Sequence, residues 1–184
     1  MAVLVVTPPA PLVSLDEAKL HLRVEGFDED SLIQGYIVAA SAYIDGPFGI
    51  LRRAVGFQTL EVRSNVFSGL DRLPVGPVLA IEEVKYIDTA GVEQTLGDAV
   101  YTLAADRFCL ASNARWPSLR GDASGVRVRY TAGFEVVPAS IQQAVLLLVG
   151  QWYEMRSAVT VGQTANEIPH AVRALLAPYK IFTF

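Results

Sequence analysis

The residues that could do chemistry in this chain are few. Cys109 is the sole cysteine, and His21 and His170 are the only histidines. A cysteine nucleophile needs a depressed pKa and a base within reach. Cys109 instead sits between Phe108 and Leu110, the setting of a small buried hydrophobe. His21 and His170 stand far apart and outside any ligand-spaced motif, so they read as helix-surface histidines. The run Asp28-Glu29-Asp30 lacks the glycine and distal glutamate of a calcium loop. It suits the positive end of a helix dipole better. The glycines at 46, 49 and 56 form neither a dinucleotide nor a P-loop pattern, and no nucleophile elbow, zinc-protease motif or triad is present. No catalytic residue, metal ligand or cofactor site emerges from this pass.

Arg127 and Arg129 remain, two residues apart on an alternating segment and therefore on one face of a strand. Three readings stay open for them: a solvated sheet face, carboxylates of a neighbouring subunit, or DNA passing nearby. Arg52-Arg53 is open in the same way.

The elements that position these residues fall into three zones. Ser14 followed by Glu17 is a capping box and predicts a short helix closed by Gly26. A second helix starts in the acidic run and carries Leu32, Ile33, Tyr36, Ile37, Ala40, Tyr43 and Ile44 at helical spacing. Asp45-Gly46-Pro47 stops it. The middle zone reads as strands at 57–66, 84–88, 92–96, 100–103, 108–111 and 126–130. Thr89-Ala90-Gly91 supplies a hairpin turn, and the prolines of 73–78 hold an extended connector. In the last zone Pro138 opens a helix with Ile141, Ala144, Val145, Leu148, Val149 and Trp152 on one stripe, and Leu146 and Leu147 on the opposite side. A polar loop at 158–167 leads to a short helix between Pro169 and Pro178. The chain finishes as Ile181-Phe182-Thr183-Phe184. The expected fold is α+β. N- and C-terminal helices pack as a small bundle with an inserted antiparallel β lobe: one domain over 1–184, with helices in 1–50, the β insertion in 51–134, and helices and tail in 135–184.

Bulk composition agrees with a protein that lives in contact. Of 184 residues 52% are hydrophobic and only 18% charged, light for a free monomer. A net charge of -4 argues against general nucleic-acid binding, which depends on neutralising phosphates. The apolar N-terminus lacks a basic segment ahead of it, and the apolar run at 144–149 is too short to span a bilayer. The expected product is made in the cytoplasm and does not enter a membrane. A helix that is apolar all round is central or shared between subunits. Trp, Tyr and Arg are common interface anchors, so Leu146, Leu147, Trp152, Tyr153, Arg156, Ile181, Phe182 and Phe184 are the candidate interface with a neighbouring subunit or another partner; the alternative for Trp152, Tyr153 and the apolar tail is the chain's own core. Arg127 and Arg129 are the candidate channel or neighbour-facing pair.

The order of these elements resembles the phage head–tail connector family, the head-completion adaptors that include those of gene transfer agents. The resemblance runs through 14–23, 28–33, Ala39-Ala40 to Tyr43-Ile44, Leu73-Pro74, Pro77-Val78, Tyr86-Ile87-Asp88 and Trp116-Pro117. Its closest part is Val128-Arg129-Tyr130-Thr131-Ala132-Gly133-Phe134, followed by Val137-Pro138 and Trp152-Tyr153-Glu154-Met155-Arg156. Pro169, Leu175-Leu176 and Pro178-Tyr179 complete it. It implies a structural virion protein that forms a ring, expected to be dodecameric, beneath the portal protein. Such a ring links capsid to tail, meets the next connector (stopper) or tail component, and touches DNA only by its passage through the channel. No catalytic residues or cofactors come with the family. The reading from a different class is a hydrolase or small-molecule-binding protein with a pocket in the β zone near Cys109.

Overall fold

The structure, a computed structural model, describes residues 1–104, 107–121, 124–155 and 170–181. It resolves into two compact units, Met1–Pro9 with Phe57–Phe134, and Ala10–Gly56 with Glu135–Phe184. The first holds β1 (Ala2–Thr7), β2 (Gln58–Ser64), β3 (Val78–Ile87), β4 (Glu93–Thr95), β5 (Tyr101–Ala104), β6 (Arg107–Leu110) and β7 (Val126–Ala132). The second holds α1 (Leu15–Leu22), α2 (Asp30–Ile44), α3 (Ala139–Glu154) and α4 (His170–Leu176), the last continued by a 3-10 turn. The architecture is the expected α+β one: helices from both parts of the sequence make one unit, and an antiparallel sheet with a separate hairpin makes the other.

In the β unit five strands pair antiparallel in the order β1-β2-β7-β3-β4, and β5 pairs with β6 as a separate hairpin. The period-two pattern of β7 decides which face is which. Val126, Val128 and Tyr130 stand beside Ser64, Val62 and Leu60 of β2, and all but Ser64 are buried. Phe67, Phe108 and Trp116 belong to the same apolar lobe: the Phe67 and Trp116 rings stack with centroids 4.6 Å apart, and Phe108 lies 5.4 Å from Trp116. Such aromatic pairing adds to what their buried area alone contributes. The opposite face of β2 and β7 carries Glu61, Arg63, Arg127 and Arg129.

The N-terminal strand is a departure from the sequence expectation, which took residues 1–50 as helical. Val3 and Val5 pair with Val62 and Leu60. The run Ala-Val-Leu-Val-Val-Thr is rich in β-branched residues and ends at Pro8-Pro9, a strand signature whose partner is the distant segment Thr59 to Arg63. Conversely, 51–56 belong to the helical unit: Leu51, Ala54 and Val55 are buried there.

In the helical unit the capping box forms as read, with Ser14 Oγ accepting from Glu17 N at 3.2 Å and Glu17 Oε2 accepting from Ser14 N at 2.7 Å. The helix ends earlier than Gly26, because Arg23 itself takes the left-handed conformation (φ 58°) and Val24 N reaches back to Lys19 O at 3.0 Å. Ile33, Ile37, Ala40 and Ile44 of α2 are buried, as are Ile141, Ala144, Val145, Leu148 and Val149 of α3. The Tyr153 hydroxyl near the end of α3 donates to Glu29 at the start of α2, so these two helices run antiparallel.

Candidate assembly surfaces

The α3 side chains proposed as interface differ in burial from the core stripe of that helix. The stripe from Ile141 to Val149 is core, whereas Leu146, Leu147, Trp152 and Tyr153 are half-buried. Tyr153 is held by its hydrogen bond to Glu29. Ile181 is half-buried, and Arg156, Phe182 and Phe184 lie outside the described residues.

Arg127 and Arg129 meet carboxylates of their own sheet. Register places Glu61, Arg129 and Glu83 in one row, and Arg63, Arg127 and Lys85 in the next. Arg129 Nη2 lies 3.1 Å from Glu61 Oε2, Arg63 Nε 2.7 Å from Glu61 Oε1, and Lys85 Nζ 2.9 Å from Glu83 Oε1. Arg127 pairs with Glu93. The Glu61–Arg129–Glu83 row alternates in sign, which favours the pairing, whereas the Arg63–Arg127–Lys85 row sets like charges opposite one another. Glu61, Glu93 and Glu83 offset that repulsion by pairing with Arg63, Arg127 and Lys85. Glu61, Glu83, Lys85, Arg127 and Arg129 line a small polar recess on this face.

Glu61 is the buried member, its side chain only 8% exposed. Burial pushes its carboxyl up, but the hydrogen bonds and charges of Arg63 and Arg129 outweigh it and hold the pKa below the ordinary value. A carboxylate lowered in the folded state contributes stability above its unfolded pKa, and that contribution is lost as pH falls through the folded one. Arg129→Ala removes one of the two guanidinium partners and shrinks this depression. The expected result is a loss of about 1 kcal/mol at neutral pH and an acid-unfolding midpoint moved to higher pH. Circular dichroism across an acid titration checks it; an unmoved midpoint would mean Arg63 alone secures Glu61.

Cys109 lies in β6 opposite Thr102, half-buried, and the recess is lined by other residues on the sheet. Among the described residues no group of three His, Cys, Asp or Glu side chains is placed to hold a metal ion. His21 is exposed against Gly150 of α3, and His170 is exposed at the start of α4. No helix among the described residues is long and apolar enough to cross a membrane.

Sequence reasoning passed over three exposed apolar features. The edge strand β1 shows Leu4, Val5 and Val6 to solvent, without the charges or prolines that usually blunt a sheet edge. Phe27 and Phe48, at the two ends of α2, are 84% and 89% exposed. An apolar residue in a sequence reads as core by default, and only the fold reveals which ones remain outside.

A family model described as "Head completion protein" matches residues 11–182. Among solved structures, the chain is similar to one in "Neck of empty GTA particle computed with C6 symmetry", at 28% identity and TM-score 0.76, covering 100% of this chain and 97% of that one. It is similar to one in "Virion of native gene transfer agent (GTA) particle", at 27% identity and TM-score 0.76, with the same coverage. A third, in "Neck of native GTA particle computed with C12 symmetry", matches at 25% identity and TM-score 0.70, again over 100% and 97%. No curated protein matches. None of these similarities points to a hydrolase.

Proposed function

Because the chain belongs to the head completion protein family, we propose that it works without catalysis, as a head–tail connector whose copies form a ring in the neck of a phage-like particle. The adaptor role rests on the family match over 11–182 and on full-length likeness to chains of gene transfer agent necks. The symmetric necks of those particles support assembly into a ring. A dodecamer is the copy number we propose, with the portal protein on one side and the next connector or tail component on the other. Leu146, Leu147, Trp152 and Tyr153, with Arg156, Ile181, Phe182 and Phe184, are the proposed contacts to neighbours and portal. The half-burial of the first four leaves apolar area for a partner to cover. The charge-matched face of Arg127 and Arg129 is the proposed channel or neighbour-facing side. Its cations already have carboxylate partners, which limits their hold on passing phosphates.

The observation that carries this reading is the likeness to neck chains over the whole length of the sequence. Electron microscopy of purified particles tests it. Density for this chain is expected at the portal vertex, and its absence there would sink the assignment.

A further inference from the structure

The helical unit is electrically two-ended along α2. That helix has 15 residues and is therefore about 22 Å long. At its N-terminal end stand exposed Glu25 and Asp28, then Glu29. Glu154 adjoins them, since its neighbour Tyr153 bonds Glu29. Asp30 there is matched by Lys19 at 2.6 Å, and Arg23 is the remaining cation of the loop. The C-terminal end carries exposed Arg52 and, beside it, Arg53. The Nη1 of Arg53 lies 3.4 Å from Tyr179 O, which brings Lys180 to the same end. Asp45 at this end is buried and accepts from the backbone N–H groups of Val55 and Gly56, and Glu135 precedes α3.

Each end also presents one large apolar side chain on an ordered loop. Phe27 is fixed by Lys19, whose Nζ lies 4.8 Å from the ring centroid and donates to Gly26 O and Asp30 Oδ1. Phe48 sits in a turn closed by Gly46 N to Arg53 O at 2.9 Å and Ile50 N to Tyr43 O at 2.8 Å. Gly49 next to it has no room for a Cβ, which would lie 2.3 Å from Asp45 O. An aromatic held ready in its exposed position loses little freedom on docking, and aromatic side chains are enriched at the cores of interfaces, inside a polar rim.

We infer that adjacent copies of this chain meet end to end through these two patches, the acidic Phe27 loop of one on the basic Phe48 turn of the next. This inference rests on the ring reading above. A closed ring of identical copies needs two different, mutually complementary patches on each chain. Opposite charge at the two ends supplies that complementarity, whereas a two-fold contact through either patch would oppose like charges.

The test is charge reversal in particle-producing cells, reading copies of the chain per purified particle. Glu25→Lys with Asp28→Lys, and separately Arg52→Asp with Lys180→Glu, should each reduce neck occupancy at least tenfold. Aspartate is chosen at Arg52 because that residue has φ 49°, a region aspartate tolerates. Combining all four changes in one chain should restore occupancy to within twofold of wild type, since every junction is again complementary. Single sets that still fill the neck, or a combined variant that leaves it empty while melting like wild type, overturn the inference and leave the adaptor reading standing. Wild-type chain missing from the neck overturns the adaptor reading itself, and this inference with it. A second measurement covers variants that fail to fold. Asp28→Cys and Arg52→Cys in one Cys109→Ser chain should give, on mild oxidation of particles, a ladder of disulfide-linked dimers, trimers and higher species. Particles that contain this chain but yield no ladder also overturn the proposed contact.

Discussion

Replacing Asp45 by alanine is expected to lower the stability of the helical unit by about 3 kcal/mol. The Asp45 carboxylate is buried just after α2 and accepts from Val55 N at 2.7 Å and Gly56 N at 2.9 Å. Truncation leaves both N–H groups without their acceptor in a place water reaches poorly. Each such orphan costs about 1–3 kcal/mol. Asp45→Asn keeps one acceptor oxygen and should cost about half as much. Urea unfolding of both variants is the measurement, with an unchanged slope showing that stability changed and the surface exposed on unfolding did not. A midpoint for Asp45→Ala equal to that of wild type would show that another group satisfies these donors. The same carboxylate braces the turn that holds Phe48 and Arg52. Neck occupancy should therefore fall with stability in Asp45→Ala, but not in a core variant of equal cost elsewhere in the unit.

The turn illustrates what a sequence reading can and cannot reach. Gly46 and Pro47 announce the end of α2 by their own backbone preferences, and Gly46 does adopt φ 82°. That Asp45 reaches ten residues ahead to Val55 is a tertiary fact, with no local signal. The same division holds elsewhere. The Ser14–Glu17 box is closed by neighbours in sequence and forms as read. The hairpin of β3 and β4 is likewise local. Asp88 accepts from Ala90 N and Val92 N at 2.9 Å, which fixes the turn that Gly91 permits at φ 84°. The strand β1 fails this locality test: its partner is β2, and at a sheet edge its side chains do not alternate between core and solvent. Arg23 rather than Gly26 ends α1 by taking the left-handed conformation, and Lys19 then ties the following loop through Gly26 O and Asp30 Oδ1, contacts the sequence does not announce. The proposed interface residues are only half legible in the sequence. The multi-sided apolarity of α3 singles out Leu146 and Leu147 as candidates. Phe27 and Phe48 are invisible as surface residues until the loops that hold them outward are seen. Arg127 and Arg129 were legible as a pair on one face, but their carboxylates come from β2 and β4, distant in sequence.

Tyr130→Ala should cost about 4 kcal/mol, the largest single effect expected in the β unit. Tyr130 is a fully buried side chain in β7, paired with Leu60 of β2 and Ile81 of β3. Its hydroxyl donates to Pro74 O. Burial raises its pKa well above the usual tyrosine range, so the phenol stays a donor throughout the physiological range. Truncation empties the volume of an aromatic ring at the centre of the sheet and removes the tie to the connector around Pro74. Tyr130→Phe separates these effects. It keeps the ring and loses only the hydrogen bond, so it should cost about 1 kcal/mol. The excess of the alanine variant over the phenylalanine variant then measures the cavity. Thermal unfolding followed by near-ultraviolet dichroism tests the pair. If Tyr130→Phe is as damaging as Tyr130→Ala, the connector tie outweighs the packing. In that case the prolines of 73–78, which set that connector's extended path, hold the β unit together more than the close-packed face of β2, β7 and β3.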